Sequence, residues 1–318
     1  MLINCYYYAP HNHTLLSEHL NADLTRMAEL GTDIVSVCVQ EGQLTNWHQQ
    51  RLRNVVDQVH AHGMKAHAVP NRWAGLFAGW LDGFGRFTLE NRDTLICGPD
   101  GTPKALGEMV SCVNHPKVEQ HIYSSLNQLF ELFDFDGLIW DEPHAKACHC
   151  AYCKALNPSP TDEWYYGQFA RFLDRASRYT KSLQPDAVIS VFVQPHQRGL
   201  LEALLETTAI DYLGSDGHIR SPDHQMHRMK GTIFQAYDEF YPLISRAGKK
   251  TFFLLEAQRH RDADLENFLL NVERAFDLEM DHLMYYYSAH EMSPQNEAPF
   301  NEATWSNVAR VHRKRKVQ

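Results

Sequence analysis

Cys148, Cys150 and Cys153 fall in one short segment, Cys148-His149-Cys150-Ala151-Tyr152-Cys153, and Cys112 precedes them in the chain. Cysteines at this spacing are the ligand set of a tetrahedral ion, zinc above all. Three ligands come from one loop, and Cys112 can close the site from the loop before it. His144 and His149 are substitutes for one position. Four protein ligands leave no place for water, so the expected zinc is structural, and no organic cofactor is implied. Cys5, Cys38 and Cys97 read as reduced, buried thiols. Seven cysteines, an odd number with four clustered, fit a reducing cytoplasm with a metal site better than a disulfide framework.

Six residues before that cluster, the apolar run Phe135-Asp136-Gly137-Leu138-Ile139-Trp140 closes on the acidic pair Asp141-Glu142. Glu256 closes a second such run. Two strand-end carboxyl groups that face each other can perform retaining glycoside hydrolysis. One is held protonated for the leaving oxygen, and the other is ionised to attack the anomeric carbon. Arg72, Gln194, His196, Asp216, His218 and Gln258 stand at or after the ends of other apolar runs and can bind sugar hydroxyls, while Trp73 and Tyr287 can stack on a sugar face. A different chemistry uses part of the same set. Glu142, His196, Asp216, His218 and Glu256 could hold a divalent ion, as in a sugar isomerase or epimerase. A barrel that binds carbohydrate without catalysis is a third reading, and it has no need of the glutamate pair.

These residues need elements to position them. Short apolar runs at 2–8, 34–39, 65–70, 137–140, 188–193, 212–215, 251–255 and 282–287 read as parallel strands buried on both faces. Helical stretches at 16–30, 46–62, 118–133, 162–183, 199–207, 231–247 and 264–278 separate them. Gly31 and Gly63 stand where the first two must stop. Eight strand–helix units predict a closed (β/α)₈ TIM barrel, one domain over 1–318, with chemistry at the carboxyl ends of its strands. No Gly-x-Gly-x-x-Gly follows the first strand, which argues against an open dinucleotide-binding sheet. The long stretch 71–110 predicts an active-site insertion. No internal repeat stands out.

The formal net charge of -9 argues against a general nucleic-acid partner. The basic tail His312-Arg313-Lys314-Arg315-Lys316 reads as a solvated terminus. No apolar run is long enough for a membrane helix, and residues 1–8 look like a first strand and not a signal peptide. The expected partner is a carbohydrate or glycoside, in the cytoplasm. A symmetric homo-oligomer is a common state for such an enzyme.

The segment 135–153 resembles the clan A barrel glycoside hydrolases, and most of all the family 42 β-galactosidases. That resemblance implies an acid/base glutamate at the end of strand four, matched by Glu142. It implies a nucleophile at the end of strand seven, matched by Glu256, and a structural zinc on Cys112, Cys148, Cys150 and Cys153. One departure matters. Those enzymes carry asparagine before the acid/base, where this chain has Asp141. An ionised aspartate accepts hydrogen bonds and cannot donate them. Its charge also disfavours ionisation of Glu142, which suits a proton donor. The chain is short for family 42, whose members carry further domains after the barrel.

Overall fold

The computed structural model describes residues 1–7, 17–44, 48–78, 85–104, 109–218, 232–256, 265–288 and 298–317. Eight parallel strands close into a barrel in chain order. They are β1 (Leu2–Tyr7), β2 (Ile34–Gln40), β3 (Lys65–Asn71), β4 (Gly137–Asp141), β5 (Val188–Val193), β6 (Tyr212–His218), β7 (Lys250–Glu256) and β8 (His282–Ser288). Pairing of β1 with β8 completes the ring. The helices are α1 (Ser17–Glu29), α2 (His48–Ala61), α3 (Arg86–Glu90), α4 (Pro116–Leu132), α5 (Ala151–Leu156), α6 (Asp162–Leu183), α7 (Arg198–Leu205), α8 (Ile233–Arg246), α9 (Leu265–Phe276) and α10 (Ala298–Val317).

The strands are largely apolar because both faces are covered. Alternate residues point inward. Tyr6, Cys38, Val69, Ile139, Phe192, Tyr212, Phe252, Leu254 and Met284 fill the barrel. Their neighbours, such as Val35, Leu138, Trp140, Leu213 and Phe253, pack outward against the helices. Gly31 and Gly63 take positive φ values of 87° and 76° beyond α1 and α2, a conformation that stops a helix at little cost in glycine. Thr161 caps α6, accepting from the Trp164 N–H, and Thr232 and Gln235 form a capping box on α8.

A fourfold device joins the strands at their amino ends. Asp33, Asp136, Asp211 and Asp281 each stand directly before an even-numbered strand. Each accepts from the second backbone N–H of the strand before it: Ile3, Ala66, Ile189 and Thr251, all at 2.8 Å. A double strand–helix unit therefore recurs four times around the ring, a repeat that the reading of the sequence did not detect.

The basic tail is solvated in part, as expected, with Arg313, Lys314 and Lys316 exposed, but it is helical, within α10, and Arg315 is half-buried. Trp305, Val308 and Val311 form a short buried stripe. Arg315 donates to the carbonyls of Met1 and Gly31 and to Asp33, while Arg310 and Lys314 pair with Asp277. Among the described residues, no helix is long and apolar enough to cross a membrane.

Candidate functional site

The carboxyl end of β4 carries two buried acids, Asp141 at 5% and Glu142 at 7% exposure. Asp141 follows Gly137 and Ile139 on the inward face. The Tyr6 hydroxyl on β1 donates to its Oδ2 at 2.8 Å, which directs the carboxylate toward the barrel axis. Tyr6 itself sits edge-on to Tyr286 of β8, ring centres 5.0 Å apart. Under this pair, Asn71 Nδ2 donates to Cys38 Sγ at 2.9 Å. Burial pushes the Cys38 thiol up and the Asp141 charge adds to that, so it stays a neutral packing group.

Glu142 leaves the strand in a left-handed conformation, φ 40°. A non-glycine residue held there is strained, and such strain collects where geometry serves function. Three contacts hold it. Its N–H donates to the Phe192 carbonyl at 3.0 Å. Gln194 Nε2, just past β5, donates to Glu142 Oε2 at 2.8 Å. Gln197 Nε2 donates to the carbonyl of the next residue, Pro143, at 3.0 Å.

The other side of this loop is tied to the insertion after β3. Ala78 N–H donates to the Asp141 carbonyl at 3.0 Å, and His144 N–H to the Leu76 carbonyl at 2.8 Å. Arg72 opens the insertion, buried and also left-handed at φ 58°. Gly75 is required by close approach. A Cβ there would meet the Met109 carbonyl oxygen at 2.3 Å, and its φ is +68°.

Past His144 the four cysteines converge. Cys112 Sγ lies 3.4 Å from Cys153 Sγ and 3.7 Å from Cys150 Sγ, and all four sulfurs are within 4.8 Å of one another. Sulfurs at the corners of a tetrahedron with bonds of about 2.3 Å stand about 3.8 Å apart, so the four can hold a metal ion. None is in a disulfide. N–H groups support the sulfurs as a thiolate site needs. Cys97 and Cys150 N–H point at Cys148 Sγ, and Asn114 Nδ2 donates to Cys153 Sγ. The other three thiols, as donors, lower the proton affinity of Cys150, while Cys112 is raised, by its hydrogen bonds to the other three first and by burial after them. Cys112 belongs to the end of the insertion, which antiparallel bridges Leu95–Ser111 and Cys97–Pro103 fold back on itself. An ion here would join the insertion to the β4–α6 loop.

The other residues singled out in the sequence fare differently. Asp216 is 1% exposed near the end of β6, on the inward parity of Tyr212. His196 is exposed in the turn before α7. Trp73 must be corrected: it is fully buried and its indole N–H donates to the Val39 carbonyl at 2.9 Å, so no face remains for a sugar. His218 and Glu256 end β6 and β7 as backbone register partners, and Glu256 is also opposite Tyr286. The side chains of His218, Glu256 and Tyr287 lie outside the described residues, as does the whole of Gln258. Among the described residues, the Cys cluster is the one group of three or more His, Cys, Asp or Glu side chains with metal-binding geometry.

The sequence reading missed Tyr6 as a site residue, and it placed Gln194 among the groups for sugar hydroxyls, whereas its amide lies on the Glu142 carboxyl group. Tyr6 was hidden in an aromatic run, Tyr6-Tyr7-Tyr8. Its signal was parity, since Leu2, Asn4 and Tyr6 share one face of the strand.

No protein-family model matches the chain, and no curated protein matches it. Solved structures do match. The β-galactosidase from the psychrophilic Marinomonas ef1 superposes with a TM-score of 0.69 at 10% identity, over 100% of this chain and 60% of its own. The PgaB (BpsB) glycoside hydrolase domain from Bordetella bronchiseptica gives 0.67 at 12% identity, over 97% of this chain and 99% of its own. The endo-beta-1,4-mannanase from Thermotoga petrophila gives 0.63 at 12% identity, over 100% and 78%. The chain therefore spans 60% of the β-galactosidase and 99% of the Bordetella domain. At these identities the likeness is one of fold. The closed parallel barrel expected from the sequence is present, and it is like that of barrel glycosidases.

Proposed function

We propose that this protein is a glycoside hydrolase acting at the carboxyl end of its barrel, by retention, with Glu142 as acid/base and Glu256 as nucleophile. The observation that carries this reading is Glu142 itself. It is buried at the end of β4 in a strained backbone conformation, with the Gln194 amide on its carboxyl group. A carboxyl group fixed in that way can hold a proton at one position until the glycosidic oxygen arrives. The glycosidase barrels that share the fold add support. Glu256 at the end of β7 enters as the second carboxyl group that the chemistry needs.

Arg72, Asp216 and the strand-end residues His218, Gln258 and Tyr287 would line the substrate, a carbohydrate. The four cysteines would hold a structural zinc, which supplies no step of the reaction. It would keep the loop after Glu142 and the insertion in one arrangement.

The test is hydrolysis of a panel of nitrophenyl glycosides by wild type, Glu142→Gln and Glu256→Gln. The reading expects both variants to lose activity. Added azide should restore turnover in Glu142→Gln, with a glycosyl azide as product. Full activity in Glu142→Gln would contradict the assignment.

A further inference from the structure

We propose that the amino half of the barrel interior is an enclosed binding site for a cluster of about two to three water molecules, held by Asn4, His67, Ser190 and His282. The site stands apart from the mouth of the barrel and does not depend on the glycosidase reading.

The strand register brings these side chains together. Inward residues of alternate strands fill such a barrel in layers, with a step of about one residue per strand around the ring. Followed from Asn4 of β1, that step meets His67 of β3, Ser190 of β5 and Phe252 of β7, and it closes again on Asn4. The next layer toward the amino end holds Ile34, Gly137, Tyr212 and His282. His67 joins the two layers. A Cβ on Gly137 would meet its Nε2 at 2.8 Å, so the imidazole lies over that glycine. The His282 ring packs on Phe252, centres 4.3 Å apart, and stands edge-on to Tyr212 at 5.4 Å.

Branched apolar side chains ordinarily fill these layers. Asn4, His67, Ser190 and His282 are instead polar, and all four are fully buried. Among the described residues, six of their polar atoms have no hydrogen-bond partner: Asn4 Nδ2, Ser190 Oγ and both ring nitrogens of His67 and His282. Asn4 Oδ1 accepts from Ser36 Oγ at 2.8 Å, which leaves the amide hydrogens for the interior. Buried polar groups in proteins are paired with protein or with ordered water, because an unpaired one forfeits its hydration.

The chemistry of the set selects the guest. Burial holds His67 down to about 4 and His282 well below 6.5, so both imidazoles are neutral at pH 7. A neutral imidazole offers one donor and one acceptor, a hydroxyl offers both, and the Asn4 amide nitrogen only donates. A metal ion would face those amide hydrogens, and an anion would face the imidazole lone pairs. Water donates and accepts, and each buried water makes about three hydrogen bonds.

The experiment is a high-resolution crystal structure of the wild-type protein, beside calorimetric melting of wild type and Ser190→Ala. The expected density is water within hydrogen-bond reach of His67, Ser190 and His282. An interior without such density, or a peak that shows the anomalous signal of a metal or exchanges with soaked bromide, overturns the proposal. Ser190→Ala keeps the shape of the site and removes one polar atom. If the hydroxyl binds water, its loss should lower the melting temperature by about 1–3 °C. If it is unpaired in a dry core, its loss should raise it. Without diffracting crystals the sign of that shift decides: a fall supports the site, and no change or a rise overturns it.

Discussion

At the amino end of the barrel, Asp33, Asp136, Asp211 and Asp281 repeat one geometry around the ring. At the carboxyl end the described strand ends follow no such repeat. β3 runs into the left-handed Arg72, β4 into the left-handed Glu142, and β5 into Gln194, whose amide reaches back to β4. The regular end satisfies backbone donors and holds strands in register. The irregular end accepts backbone strain and buried carboxylates, which cost stability and can be justified only by what they position. Repetition marks the part of the molecule that holds the fold, and local rule-breaking marks the part to suspect of chemistry.

The two ends should separate under mutation. The largest effect is expected at the mouth. Glu142→Gln should lower kcat/KM by about 10²- to 10⁴-fold, the usual worth of a positioned acid, with the melting temperature the same or higher, as steady-state assays and calorimetry would read. Next comes the metal clamp. Cys112→Ser, or removal of the ion by a chelator, should lower the melting temperature by several degrees and weaken activity with it. Bound zinc per chain is the check, and wild-type protein free of metal would count against the clamp.

Acid should act on the barrel interior. His67 and His282 are fully buried, and neither ring nitrogen of either has a hydrogen-bond partner among the described residues. Burial holds His67 down to about 4 from an ordinary 6.5, and His282 is lowered well below 6.5, by burial first and by His67 second. Between those limits the unfolded chain binds protons that the folded chain refuses, so stability falls as pH drops from 6.5 toward 4. The His67 shift alone corresponds to about 3 kcal/mol. Denaturant titrations at pH 7 and pH 4.5 measure it, and an equal stability at both would refute it. The smallest effect belongs to the aspartate ring. Asp211→Asn should cost about 1–2 kcal/mol of stability and leave kcat/KM unchanged.

The same contrast governs what could be read from the sequence. The barrel was legible because parallel strands buried on both faces leave continuous apolar runs, and because Gly31 and Gly63 mark helix ends chemically. The cysteine cluster was legible because its ligands are close in sequence. Tyr6 was not, since its partner Asp141 is distant along the chain and only closure of the barrel brings them together. Trp73 misled for the related reason that a strand-end position does not say which way a side chain turns. Here it turns onto the Val39 carbonyl. The α10 helix was obscured by its basic character. Its buried stripe is only Trp305, Val308 and Val311, and its cations find partners on other elements.

The most direct test of the division between the two ends measures kcat/KM on the best glycoside and unfolding free energy together, in Glu142→Gln and Asp211→Asn. The predicted result is a crossed one. Glu142→Gln loses at least about 100-fold in activity with no loss of stability, and Asp211→Asn loses stability with full activity. Activity that survives in Glu142→Gln, or activity that falls as far in Asp211→Asn, would contradict the account.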